Sequence, residues 1–129
     1  MREVVEVLGV SLLVEAPNKG YSRIVMLSDA ARLAKRYLRL KFPSAKFKIN
    51  TRRLSVPTAH GSERRSWLFV RFHSPRVTRE EVEETLWPFI GYQGPAESPR
   101  LLAVGGKKLF SPIDHVEVVN SADLLRAGA

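Results

Sequence analysis

Hydrophobic positions along this chain change period several times, and each change marks an element. Val4 to Val14 is rich in aliphatic and β-branched residues and reads as one buried strand, with Gly9 as a bulge. Pro17, Asn18 and Gly20 signal a turn, and Ile24 to Leu27 a second strand. The period then becomes helical. Ala30, Leu33, Ala34, Tyr37 and Leu38 share one face of a helix that starts at a Ser28 N-cap, carries Asp29 in its first turn and ends near Lys41. Phe42 stops it, because a residue before proline disfavours helical backbone.

Alternation returns at Lys46 to Ile49. Phe47 and Ile49 take one side and Lys46 and Lys48 the other, as in a half-buried strand with a basic outer face. Asn50 to Glu63 is polar, contains Pro57 and Gly61, and reads as a long, mobile loop. Ser66 to Phe72 is a clear strand, with Leu68, Val70 and Phe72 on one face and Trp67, Phe69 and Arg71 on the other. Thr78 to Trp87 is a helix with a Thr78/Glu81 capping box and a Val77/Val82 hydrophobic staple, ended by Pro88 and Gly91. Gly91 to Pro99 reads as a loop. Leu101 to Val104 and Lys107 to Phe110 flank Gly105-Gly106 as a hairpin. Ile113 to Val119 is a final strand, followed by a short helix or tail from Ser121. With no internal repeat and no linker, this order predicts a single α+β domain over residues 1–129. Its core is a mainly antiparallel sheet with two helices packed on one face.

Charge changes the picture more than composition does. The chain has net charge +8 and no cysteine, which excludes disulfides, thiolate metal sites and cysteine nucleophiles. Nothing in it resembles a signal peptide or a membrane span, so a cytoplasmic protein without membrane contact is expected. The charge is segregated. Residues 19–79 hold 16 of the 21 Lys and Arg but only two acids, Asp29 and Glu63, for a net +14. The remainder carries 5 basic and 11 acidic residues, a net −6.

On the expected elements, Arg32, Lys35, Arg36 and Arg39 form a helix stripe and Lys46 and Lys48 the adjoining strand face. Arg52, Arg53, Arg64 and Arg65 lie in or beside the long loop. Phosphate contacts need cations spread along a track, and arginine adds bidentate geometry and stacking. The competing reading is a solvated helix face balanced by acids elsewhere; the near absence of local acids favours a polyanion partner. No zinc-finger, RNA-recognition or basic-zipper pattern accompanies the charge. Trp67, Phe69 and Arg71 suit base stacking on an open sheet, though aromatics on a strand are more often core.

Other candidate chemistry is thin. His60, His73 and His115 lack metal-ligand spacing, so no metal and no cofactor are expected. His60 and Glu63 beside Arg64 and Arg65 have the makings of a nuclease base and phosphate clamp, a quartet that also arises by chance in a polar loop. Gly105-Gly106-Lys107-Lys108 is not a phosphate-binding P-loop. Glu80, Glu81, Glu83 and Glu84 are explained by the dipole of the helix they begin.

One stretch resembles a known family. A helix ending in LRLKFPSAKFKI (Leu38 to Ile49), the strand SWLFVRF and the segment TREEVEETLWPF are similar to small domains associated with large polyvalent proteins of phages and plasmids. Phe42, Pro43, Lys46, Phe47 and Ile49 match that family's motif over about half the chain, while the 50–65 insert and the FHSPRVT ending depart from it. The resemblance implies an accessory role in a virus or mobile element and carries over no catalytic residue. The expected function is therefore a non-catalytic nucleic-acid-binding accessory protein, with DNA or RNA as partner. The alternative is a small inhibitor or adaptor that docks on a host protein or a nucleic-acid-handling complex through the same basic face.

Overall fold

The computed structural model describes residues 2–15, 24–90, 101–102 and 109–127. The turn at Pro17, Asn18 and Gly20, the loop from Gly91 to Pro99 and the Gly105-Gly106 turn with Lys107 and Lys108 lie outside them. In chain order the elements are β1 (Arg2–Val7), β2 (Val10–Glu15), β3 (Ile24–Val25), α1 (Leu27–Lys41), β4 (Phe47–Thr58), β5 (Gly61–Phe72), α2 (Arg79–Leu86), a 3-10 turn (Trp87–Phe89), β6 (Leu101–Leu102), β7 (Leu109–Phe110), β8 (His115–Asn120) and α3 (Ser121–Ala127).

The fold is α+β, with mostly antiparallel pairing, but the strands divide between two sheets instead of one. The first has the order β1-β2-β3-β7-β6 and the second β4-β5-β8. Pairing is parallel between β3 and β7 and between β5 and β8. Leu101 pairs with Phe110 and Leu102 with Leu109, antiparallel.

The aliphatic run at the N-terminus is two strands, not one. Val7 pairs with Val10, and Leu8 and Gly9 between them both have positive φ, 51° and 77°. That is the backbone a two-residue turn needs to match strand twist. Gly9 is therefore a turn residue and not a bulge. Leucine in this region costs on the order of 1 kcal/mol and is no turn signal, so the aliphatic pattern runs through the reversal unbroken.

Helix α1 starts directly from β3. Met26 is its N-cap, and the Met26 N–H donates to the Leu13 carbonyl at 2.9 Å. The expected cap, Ser28, lies inside the first turn. Asp29 does sit in that turn, and its Oδ2 accepts the Leu13 N–H at 2.7 Å. The carboxylate thus satisfies β2 where β3 has ended. Leu27, Ala30, Leu33, Ala34 and Leu38 are buried, and the helix packs on β2 and β4. It lies on the side of β4 that carries Phe47, whose ring is 6.3 Å from Phe42 and 5.3 Å from Phe72.

Helix α2 packs on β8 and begins as the sequence predicts. Thr78 is the N-cap and accepts the Glu81 N–H at 3.1 Å, while Val77 and Val82 are buried. A polar knot ties its entrance to the end of β8. Asn120 is buried, and its Nδ2 donates to the Ser74 and Val77 carbonyls at 2.9 and 3.1 Å. Its Oδ1 accepts the N–H groups of Ser74 and Ala122, each at 3.1 Å.

Candidate nucleic-acid interface

Twelve consecutive pairs join β4 to β5, from Phe47 with Phe72 to Thr58 with Gly61. Most of the expected loop is therefore a long hairpin. Only Ala59 and His60 are left between the strands, and Gly61 follows at φ 129°, a conformation other residues rarely adopt. The strand was hard to see in the pattern because its outer half buries neither face and offers only Leu54 and Val56 as alternating apolar residues before Pro57. Pro57 is compatible with it because β4 is an edge strand.

Strand β8 covers only the inner half of β5, beginning where His115 pairs with Trp67. Asp114 closes that junction. Its N–H donates to the Ser66 carbonyl at 2.9 Å, and its Oδ2 accepts the Ser66 N–H at 2.7 Å. Beyond it, residues 53–58 and 61–66 form a two-stranded arm, about 20 Å long at the rise of an extended chain. Replacing Asp114 with alanine is expected to cost about 1–2 kcal/mol in urea unfolding. Amide exchange should quicken over residues 61–66 and stay slow at Val70. Uniform exchange behaviour would show that Asp114 does not anchor the arm.

The pairing register sorts the hairpin's side chains. Phe47, Ile49, Leu68, Val70 and Phe72 face the core. The opposite face carries Lys48, Asn50 and Arg52 on β4, Trp67, Phe69 and Arg71 on β5, and His115 and Glu117 on β8. Trp67 and Phe69 lie outside the buried core cluster and are partly exposed, so the core reading of this pair does not hold. The Trp67 ring stacks on Phe69, with centroids 5.9 Å apart and planes 11° apart, and on His115 at 4.5 Å and 29°. Phe47 is a core residue on the other side of the sheet. Asn50, His115 and Glu117 were missed by sequence reasoning; the strand period would have placed Asn50, but the β5–β8 pairing is set by tertiary structure.

The ten candidate cations do not form one flat surface. Arg32, Lys35, Arg36 and Arg39 point away from the apolar face of α1, on the core side of β4, whereas Lys48 and Arg52 point from the opposite side. Lys46 lies on the exposed link between them. Arg52, at the base of the arm, shares a face with Arg65, and Arg53 and Arg64 on the arm share the other. Two of the ten are engaged. Arg32 pairs with Asp29 at 3.4 Å and donates to the Ser11 carbonyl, and Arg65 pairs with Glu63 at 3.0 Å. Among the described residues the other eight make no salt bridge, and all but Lys35, which is half-buried, are exposed.

The histidines stay apart. His60 is at the arm's turn, His73 contacts the Ser121 hydroxyl at 3.1 Å, and His115 belongs to the ring stack. Among the described residues no group of three or more His, Asp or Glu could hold a metal. The acids of α2 are exposed, and Arg79 pairs with Glu80 and Glu83. Among the described residues no helix is long and apolar enough to cross a membrane. Comparisons of the chain with protein-family models, with curated proteins and with solved structures find no match.

Proposed function

We propose that this chain is a non-catalytic nucleic-acid-binding protein whose cations contact the phosphate backbone. The observation that carries this reading is the fate of the +14 segment. It folds into an outward helix stripe and a projecting hairpin, and eight of its candidate cations have no carboxylate partner among the described residues. Exposed cations without counter-charges gain from phosphate by releasing its condensed counterions. The motif at Phe42, Pro43, Lys46, Phe47 and Ile49 supports an accessory role in a virus or mobile element.

A mobility-shift titration with DNA and RNA at 50 and 200 mM salt tests it. Affinity should fall steeply with salt, and Arg36→Glu/Arg39→Glu should weaken binding about tenfold at the lower salt and flatten the salt dependence. A protein that ignores both nucleic acids at low salt is not a nucleic-acid binder, and docking on a protein partner becomes the better account.

A further inference from the structure

We infer that the open face of the β4-β5-β8 sheet is a stacking platform for a single polynucleotide strand. This rests on the nucleic-acid reading and specifies the form of the ligand. The face has two components that a lone strand requires and a duplex does not use together. One is a row of rings, Phe69, Trp67 and His115, already stacked on one another and partly exposed to solvent. Unpaired bases present π-faces that extend such a row, whereas bases in a duplex have theirs buried in their own stack. The other is a flanking line of cations. Arg52 lies opposite Trp67, Lys48 lies opposite Arg71, and Asn50 sits opposite Phe69 between them. Lys48, Arg52 and Arg71 are exposed and make no salt bridge among the described residues.

Spacing supports the match. Strands lie about 4.7–4.9 Å apart, so the long cationic side chains of β4 run directly beside the rings of β5. A shallow cavity of about 310 Å³, lined by Lys48, Asn50, Phe69, Arg71 and Glu117 among others, continues the ring row. Two acids lie on this face among the described residues: Glu63, out on the arm and paired with Arg65, and Glu117, which disfavours phosphate at the β8 edge and leaves the β4 edge as the backbone track.

The test is fluorescence anisotropy with labelled 15-mers of dT and of U and with a 15-base-pair duplex. The platform requires either single strand to bind at least about tenfold tighter than the duplex, and the preference between dT and U tells DNA from RNA. Trp67→Ala should weaken single-strand binding about 10- to 100-fold with an unchanged salt slope, because a ring is lost and no charge is. Trp67→Phe should restore most of it. In a Trp87→Phe background, bound strand should quench the remaining tryptophan, Trp67. Equal affinity for duplex and single strand, with Trp67→Ala harmless, overturns the platform and leaves the phosphate-binding reading standing. Absence of any binding at 50 mM salt overturns both. Circular dichroism of each variant separates loss of the platform from loss of the fold, and Trp67→Phe keeps the test decisive where Trp67→Ala unfolds.

Discussion

Reversing three arm and sheet-face charges, Arg52→Glu/Arg53→Glu/Arg64→Glu, should lower nucleic-acid affinity at least about 1,000-fold at 50 mM salt and leave the fold intact. The two halves of this expectation have separate causes. All three side chains are exposed, and none contributes to the core cluster or makes a salt bridge among the described residues. Their loss therefore removes no packing, and the melting temperature should move by only a few degrees. Binding loses three phosphate contacts and gains three repulsions. The plot of log K against log salt should flatten by about 2 on a single strand and about 3 on a duplex. Titrations at several salt concentrations read the slope. An unchanged slope would place the phosphate track elsewhere, with the α1 stripe as the remaining source.

The second large effect concerns stability. Asn120→Ala should destabilise the protein by about 3 kcal/mol, lowering the melting midpoint by roughly 10 °C. Removing the amide leaves two carbonyls, of Ser74 and Val77, and two N–H groups, of Ser74 and Ala122, without that partner in a buried site. An unmade bond there costs more than an ordinary bond contributes, because the orphaned group has also lost water. Asn120→Asp should fail in a different way. The ionised carboxylate still accepts from Ser74 and Ala122, but it faces two carbonyls that need donors. Urea unfolding of both variants measures this, and an alanine variant as stable as the parent would mean that water replaces the amide.

The elements legible in the sequence are those whose signal is local. The α2 start follows from Val77, Thr78, Glu81 and Val82, four residues within a stretch of six. The apolar stripe of α1 follows from its period, although its first residue does not. Met26 caps that helix with a backbone bonded to Leu13, so the start is set by sheet pairing and overrides the better capping side chain of Ser28. The same limit explains the hairpin. A strand announces itself by burying one face, and residues 53–58 bury neither. The candidate site divides likewise. The cations were all visible as charges, but their division between two sides of a sheet depends on the β4–β5 register. The ring row needed His115, 48 residues beyond Trp67 and brought beside it only by the parallel pairing of β5 with β8.

The arm has one further consequence. Past Ser66 it is a ribbon with both edges bare among the described residues, the geometry from which intermolecular sheets grow. Pro57 withholds a donor on one strand, and Arg53 and Arg64 on one face, with Arg52 on the other at the ribbon's base, set like charges against any approaching copy. The cations proposed to meet phosphate therefore also keep copies of the ribbon from pairing with one another. Salt weakens both effects together. Concentrated protein should be most soluble in the low-salt buffers in which it grips a polyanion best, and the charge-neutralised chain most prone to self-association.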